Sequence, residues 1–220
     1  MATAVNPVTR GRSIQAKHVL LFVFAAMTLF VLLTRDRMLL DPSSFLRQRY
    51  APIPVLMFLH GVPGALALFL GVFQFSNRLR QRYLFLHKVM GRIYVGSVFI
   101  SAPAALFVAH RLPKPTLFMA SAIQAFGWIA TTVTALYCVR TGRVQQHREW
   151  MMRSYPFAAV FVVARVILAI PAVARSGEMG LAAVVWSVIA TACFLPSFVI
   201  AWQALGASKA RRIDAATTGD

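Results

Sequence analysis

The chain of 220 residues is 59% hydrophobic and 13% charged, with a mean hydropathy of +0.67, which lies outside the range of soluble globular domains. Its formal net charge of +17 would suit nucleic acid in a soluble protein, but the lysines and arginines gather at the ends of apolar runs. There they act as topology signals and as contacts to anionic headgroups, so the partner implied is the lipid bilayer and not nucleic acid.

About 20 apolar residues are needed to cross a hydrocarbon core of ~30 Å. Six runs qualify: His18–Thr34, Ile53–Phe75, Leu84–Ala109, Thr116–Val139, Met151–Val173 and Leu181–Leu205. The expected fold class is all-α, a polytopic bundle of six transmembrane helices over residues 18–205, with an N-terminal segment 1–17 and a tail 206–220. No small-residue cleavage site precedes Thr34-Arg35-Asp36-Arg37, so the first run is expected to stay as a span.

The next connection, Arg35 to Pro52, carries Phe45, Leu46 and Tyr50 and is expected to hold a short amphipathic piece on the membrane surface. Alternate loops then collect the cations. Arg10, Arg12, Lys17, Arg78, Arg80, Arg82, Lys88, Arg92, Arg140, Arg143, Arg148, Arg153, Lys209, Arg211 and Arg212 fall on one side; Arg35, Arg37, Arg47, Arg49, Arg111, Lys114 and Arg175 fall on the other. The positive-inside rule then makes both termini cytoplasmic, in the inner membrane. Cys138 and Cys193 lie in runs and indicate no disulfide framework. The tail ends in Ala-Thr-Thr-Gly-Asp and is expected to fray.

Runs two and three form one hairpin and runs four and five another, and each second run opens on a histidine after a basic loop. His87 is followed by Lys88, Gly91, Arg92 and Tyr94; His147 is followed by Arg148, Glu149, Arg153 and Tyr155. The matched placement suggests a parallel repeat. Neutral imidazole is a good ligand for iron, copper and zinc, and two helices can supply both axial ligands of a haem. On that reading His87 and His147 are the metal ligands, Gly91 makes room one turn away, and Arg92, Arg148 and Arg153 bind propionates. The plainer alternative places both histidines among headgroups at helix starts.

Polar groups inside the runs are costly and form a second candidate set. His60, Gln124 and Arg165 fall at a common expected depth of about 11–12 Å at 1.5 Å per residue, and together they would make a polar pocket. No run supplies an acid: Asp36, Asp41, Glu149, Glu178, Asp214 and Asp220 all lie outside them. Arg165 therefore either snorkels to the surface or faces an anionic ligand. The missing carboxylates also argue against a proton-coupled transporter, and no phosphate-binding loop, serine-nucleophile motif or His-Glu-x-x-His is present. Gly61 and Gly64 around Pro63 suit helix packing.

Several of these stretches together resemble a bacterial integral-membrane family, domain of unknown function 2306. The stretches are Leu59-His60-Gly61, Phe73-Gln74-Phe75, His87-Lys88 with Gly91-Arg92-Ile93-Tyr94, Thr131-Thr132, and His147-Arg148-Glu149-Trp150-Met151-Met152-Arg153-Ser154-Tyr155. The resemblance covers roughly Pro52 to Pro171 and implies a membrane domain, with no activity attached. At fold level the chain is also similar to the dihaem cytochrome b561 type, in which histidines on alternate spans pair across a four-helix core. That similarity implies His87 opposite His147 and His60 opposite Gln124; glutamine is not a usual haem ligand, so one haem b at most is implied.

Two functions follow as expectations: a b-type haem protein carrying electrons, or a non-enzymatic scaffold or small-molecule or lipid binder with a buried polar pocket.

Overall fold

The structure, a computed structural model, describes residues 12–34, 41–111 and 115–217. Among them are nine helices and no strand: α1 (Arg12–Thr34), α2 (Phe45–Tyr50), α3 (Pro54–Gln74), α4 (Asn77–Arg82), α5 (Leu84–His110), α6 (Pro115–Arg140), α7 (Val144–Ile167), α8 (Pro171–Ala174) and α9 (Gly177–Thr217). Five are long and apolar enough to cross a membrane: α3, α5, α6, α7 and the Gly177–Gly206 part of α9. Six were expected. The remaining expected run falls in α1, where the apolar stretch found among the described residues is Leu21–Thr34, shorter than these five.

A square of four helices forms the centre. α3 packs on α5, α5 on α6, α6 on α7, and α7 on α3, so α5 and α7 stand diagonally across the middle. α9 lies against α7 and α6, and α1 against α7 and α3. The two expected hairpins are thus the tightest pairs, α3 with α5 and α6 with α7. The faces turned away from this centre are apolar, with Phe126, Phe194, Phe198 and Trp202 exposed. In a bilayer such faces meet lipid and need no protein partner.

The joints set where the histidines sit. α6 ends in a Schellman-type turn: Arg143 N–H donates to Cys138 O at 2.8 Å, and Gly142 adopts φ +76°, a conformation glycine takes without a Cβ penalty. α7 then starts at Val144 and places His147 in its first turn. In the other hairpin, Ser76 caps α4 by accepting from Leu79 N–H, and Tyr83 leads into α5, whose first turn carries His87.

Several expected boundaries move. The run expected over Met151–Val173 begins seven residues earlier as helix, because polar first turns are invisible to hydropathy, and it stops at Ile167. Ile170 is extended before Pro171 (ψ 122°), the conformation that proline enforces on its predecessor. The tail expected to fray continues α9 as helix through Thr217. The surface piece expected between Arg35 and Pro52 is α2, capped by Ser44, whose side chain accepts from Arg47 N–H at 3.1 Å. The expected segment 1–17 lies outside the described residues up to position 11, and the rest of it is the start of α1.

Candidate functional site

Tyr94 and Ser154 come first because they fix the centre of the bundle. Tyr94 Oη and Ser154 Oγ are 2.8 Å apart, across the α5–α7 diagonal. Trp128 Nε1 donates to Tyr94 Oη at 3.1 Å, Thr132 Oγ1 lies 2.7 Å from Ser154 Oγ, and Thr132 Oγ1 donates to Trp128 O at 2.7 Å. Each hydroxyl has one proton, so one order satisfies every contact. Trp128 N–H donates to Tyr94, Tyr94 to Ser154, Ser154 to Thr132, and Thr132 back to the Trp128 carbonyl. This closed ring leaves no polar atom unpaired among residues of which three, Tyr94, Thr132 and Ser154, are 0% exposed.

His87 precedes Tyr94 by seven residues, and His147 precedes Ser154 by seven. Seven residues are two turns, so each imidazole shares a helix face with its partner in the ring, about 10 Å along the axis. Both histidines are half-buried and lie within electrostatic reach of each other. His147 Nδ1 is 2.8 Å from Ala135 O. That contact makes Nδ1 the protonated nitrogen, so Nε2 keeps its lone pair. His87 Nδ1 is buried with no hydrogen-bond partner, and the same is true of the amide nitrogen of Gln74, the last residue of α3.

The other expected members of this site separate. Gly91 is half-buried, and a Cβ built there would lie 3.5 Å from Gln74 Oε1, so the glycine marks where α5 meets the Gln74 side chain. Arg92 and Arg148 are exposed. Arg153 turns to other partners: Nε donates to Ser197 Oγ at 3.3 Å, Nη1 is 4.0 Å from Glu149 Oε2, and Cζ lies 5.0 Å from the centre of the Trp150 ring. Among the described residues no three of His, Cys, Asp and Glu come together as a metal cluster.

On the far side of the Trp128 layer, His60 and Gln124 line one small cavity of about 20 Å³ with Ser121, Trp128 and Phe161. That volume admits a water molecule and little more. Ser101 Oγ donates to His60 O at 2.8 Å, and His60 Nδ1 is 3.3 Å from Ser101 O, so the histidine is a strut between α3 and α5. Gln124 Nε2 donates to Phe157 O at 2.9 Å, while its Oε1 is buried without a partner.

Arg165 does not share that depth. Because α7 ends at Ile167, it falls in the last turn and is exposed, within electrostatic reach of His60 and Tyr50. Burial raises the phenol of half-buried Tyr50 above its usual 10.0, while Arg165 and Arg49 pull it back down. A raised folded value contributes stability that is present below pH 10 and lost as pH rises through it. Unfolding followed against pH is therefore expected to show an alkaline loss that is smaller in Tyr50→Phe; equal losses in both proteins would refute it.

The family model described as a predicted membrane protein, DUF2306, matches residues 57–205. The chain belongs to this family. In this DUF2306 protein the matched stretch takes in the five candidate spans except Pro54, Val55, Leu56 and Gly206, and leaves α1 outside. No curated protein and no solved structure matches the chain. The motif residues Tyr94, Thr132 and Ser154 prove to be three of the four members of the ring. Sequence reasoning did not name Trp128 and gave Ser154 no role of its own; the spacing of seven from His147 to Ser154, which repeats that from His87 to Tyr94, was the available signal for Ser154.

Proposed function

We propose that this integral membrane protein holds one haem b between His87 and His147 and serves as a membrane electron carrier, with that end of the bundle and both termini on the cytoplasmic side of the inner membrane. The observation that carries the reading is the diagonal placement. Two imidazoles on diagonally opposed helices share the faces of the Tyr94–Ser154 contact two turns away. His147 is held by Ala135 O in the tautomer that leaves Nε2 available, and no described residue bonds the buried Nδ1 of His87. Two axial positions need two ligands, so a cluster of three is not required.

The bound haem would supply one-electron chemistry. The chain's own residues orient the two rings, and the Tyr94–Trp128–Ser154–Thr132 ring closes the floor of the site. The cation distribution supports the orientation, and with it a crossing by α1. The rival reading as a small-molecule binder would use the His60–Gln124 cavity, whose volume favours a packed structural role.

The test is the absorption spectrum of protein purified from cells supplied with haem, together with a pyridine haemochrome assay. A Soret band and one haem per chain are expected. His87→Ala and His147→Ala should each lose the band while still eluting as folded protein on size exclusion. Wild-type protein with no Soret band would end the proposal.

A further inference from the structure

We propose that Gln74 and Arg80 form a carboxylate-binding corner of the His87–His147 site, which recognises the acidic groups of the bound macrocycle; this rests on the haem reading above. Gln74 is only 8% exposed, yet its amide nitrogen has no partner. Its side chain reaches from α3 to α5, since its Oε1 lies 3.5 Å from where a Cβ on Gly91 would be, and Gly91 is one turn from His87. A second buried polar atom without a partner, His87 Nδ1, belongs to the same face of α5 one turn before Gly91. Buried amide donors are almost always paired, so the Gln74 amide points to a missing acceptor.

The charge around them says what kind. Arg80 lies on α4, which packs against α5 and α3; it is half-buried, and its Nη2 donates to Asn77 Oδ1 at 2.8 Å, which uses one of its five N–H groups. No aspartate or glutamate occurs between Asp41 and Glu149, so α3, α4 and α5 contain no acid that could complete the corner. Glu149 is engaged on α7 by Gln145 Nε2 at 3.0 Å and by Arg153. A neutral donor beside a cation with no resident anion suits a carboxylate brought by the ligand. Arg92, Arg148 and Arg153, which the sequence nominated for this task, are exposed or turned elsewhere.

The full chain in nanodiscs of phosphatidylcholine is titrated with haem b and with its dimethyl ester, which keeps the iron and the macrocycle and lacks the carboxylates. The free acid should bind roughly tenfold or more tightly than the ester, the span expected of a charge-assisted hydrogen bond. Gln74→Leu and Arg80→Ala should each narrow that gap by weakening the acid alone. Size exclusion checks folding of both variants, and Arg80, on a surface helix, keeps the test open if Gln74→Leu misfolds. Equal binding of acid and ester by the wild type would overturn the corner and leave the haem site standing. Binding of neither would remove both. Retention of phosphatidylglycerol without any preference for the acid would assign the corner to lipid phosphate and also overturn the inference.

Discussion

Gly71→Leu is expected to be among the most damaging substitutions in the chain, and Gly71→Ala to cost about 1–3 kcal/mol, the usual range for overpacking a filled core. Gly71 lies buried on α3, and a Cβ there would run into Cδ2 and Cε2 of Tyr155 and come within 3.3 Å of Tyr94 Cε2. The Tyr155 ring cannot swing clear. Its hydroxyl donates to Leu68 O at 3.0 Å, and its faces meet Phe24 and Phe75 edge-on with centroids 6.1 and 5.4 Å away. Gly61 on the same helix is the control, because a Cβ there meets nothing within 4 Å. Gly61→Ala should leave the unfolding midpoint in detergent level or slightly raised, since alanine is the better helix former by about 1 kcal/mol. A Gly71→Ala midpoint equal to that of Gly61→Ala would show that α3 does not press on Tyr155 as described.

The contrast between these two glycines also shows what could be read from the chain alone. Gly61 and Gly64 flank Pro63 and attract attention, yet Gly71, outside every stretch singled out, is a position where two helices depend on the missing side chain. Hydropathy marks where a helix can lie in lipid, so α3, α5, α6 and α9 were legible to within a few residues. It is blind to polar helix starts, which is why α7 was expected at Met151 and not at Val144. The end of α7 was misplaced as well, at Val173 and not Ile167, and that brings Arg165 from mid-span to the last turn, off the depth expected for His60 and Gln124. Those two do line one cavity, because their depths were counted from helices whose ends were nearly right. The diagonal relation of α5 and α7 depends on which helices share a long edge, a tertiary property that loop lengths do not encode. The ring at Trp128 was hidden for a further reason: serine, threonine and tryptophan are unremarkable inside apolar runs until their partners are known.

That ring supports the second large effect. Tyr94→Ala is expected to cost about 3–5 kcal/mol, as truncations of large buried aromatics do, and Tyr94→Phe a smaller amount, about 1–3 kcal/mol, from what it strands. Phenylalanine fills the space but removes the acceptor for Trp128 N–H and the donor to Ser154. Both atoms are then enclosed by a centre in which Thr132 and Ser154 are 0% exposed, with no water path to replace the bond. Measured hydrogen bonds between membrane helices average about 0.6 kcal/mol, since a helix unfolded within lipid still finds partners. A tertiary ring that begins and ends on Trp128 has fewer substitutes, so the phenylalanine variant should lie above that mean. The double variant Tyr94→Phe with Ser154→Ala decides between the two views. If the ring is a unit, removing Ser154 as well costs less than the two single losses added together, because each single change already breaks the same cycle. Additive losses in the unfolding midpoint would mean independent contacts, and the floor of the His87–His147 site would then be no more than packed side chains.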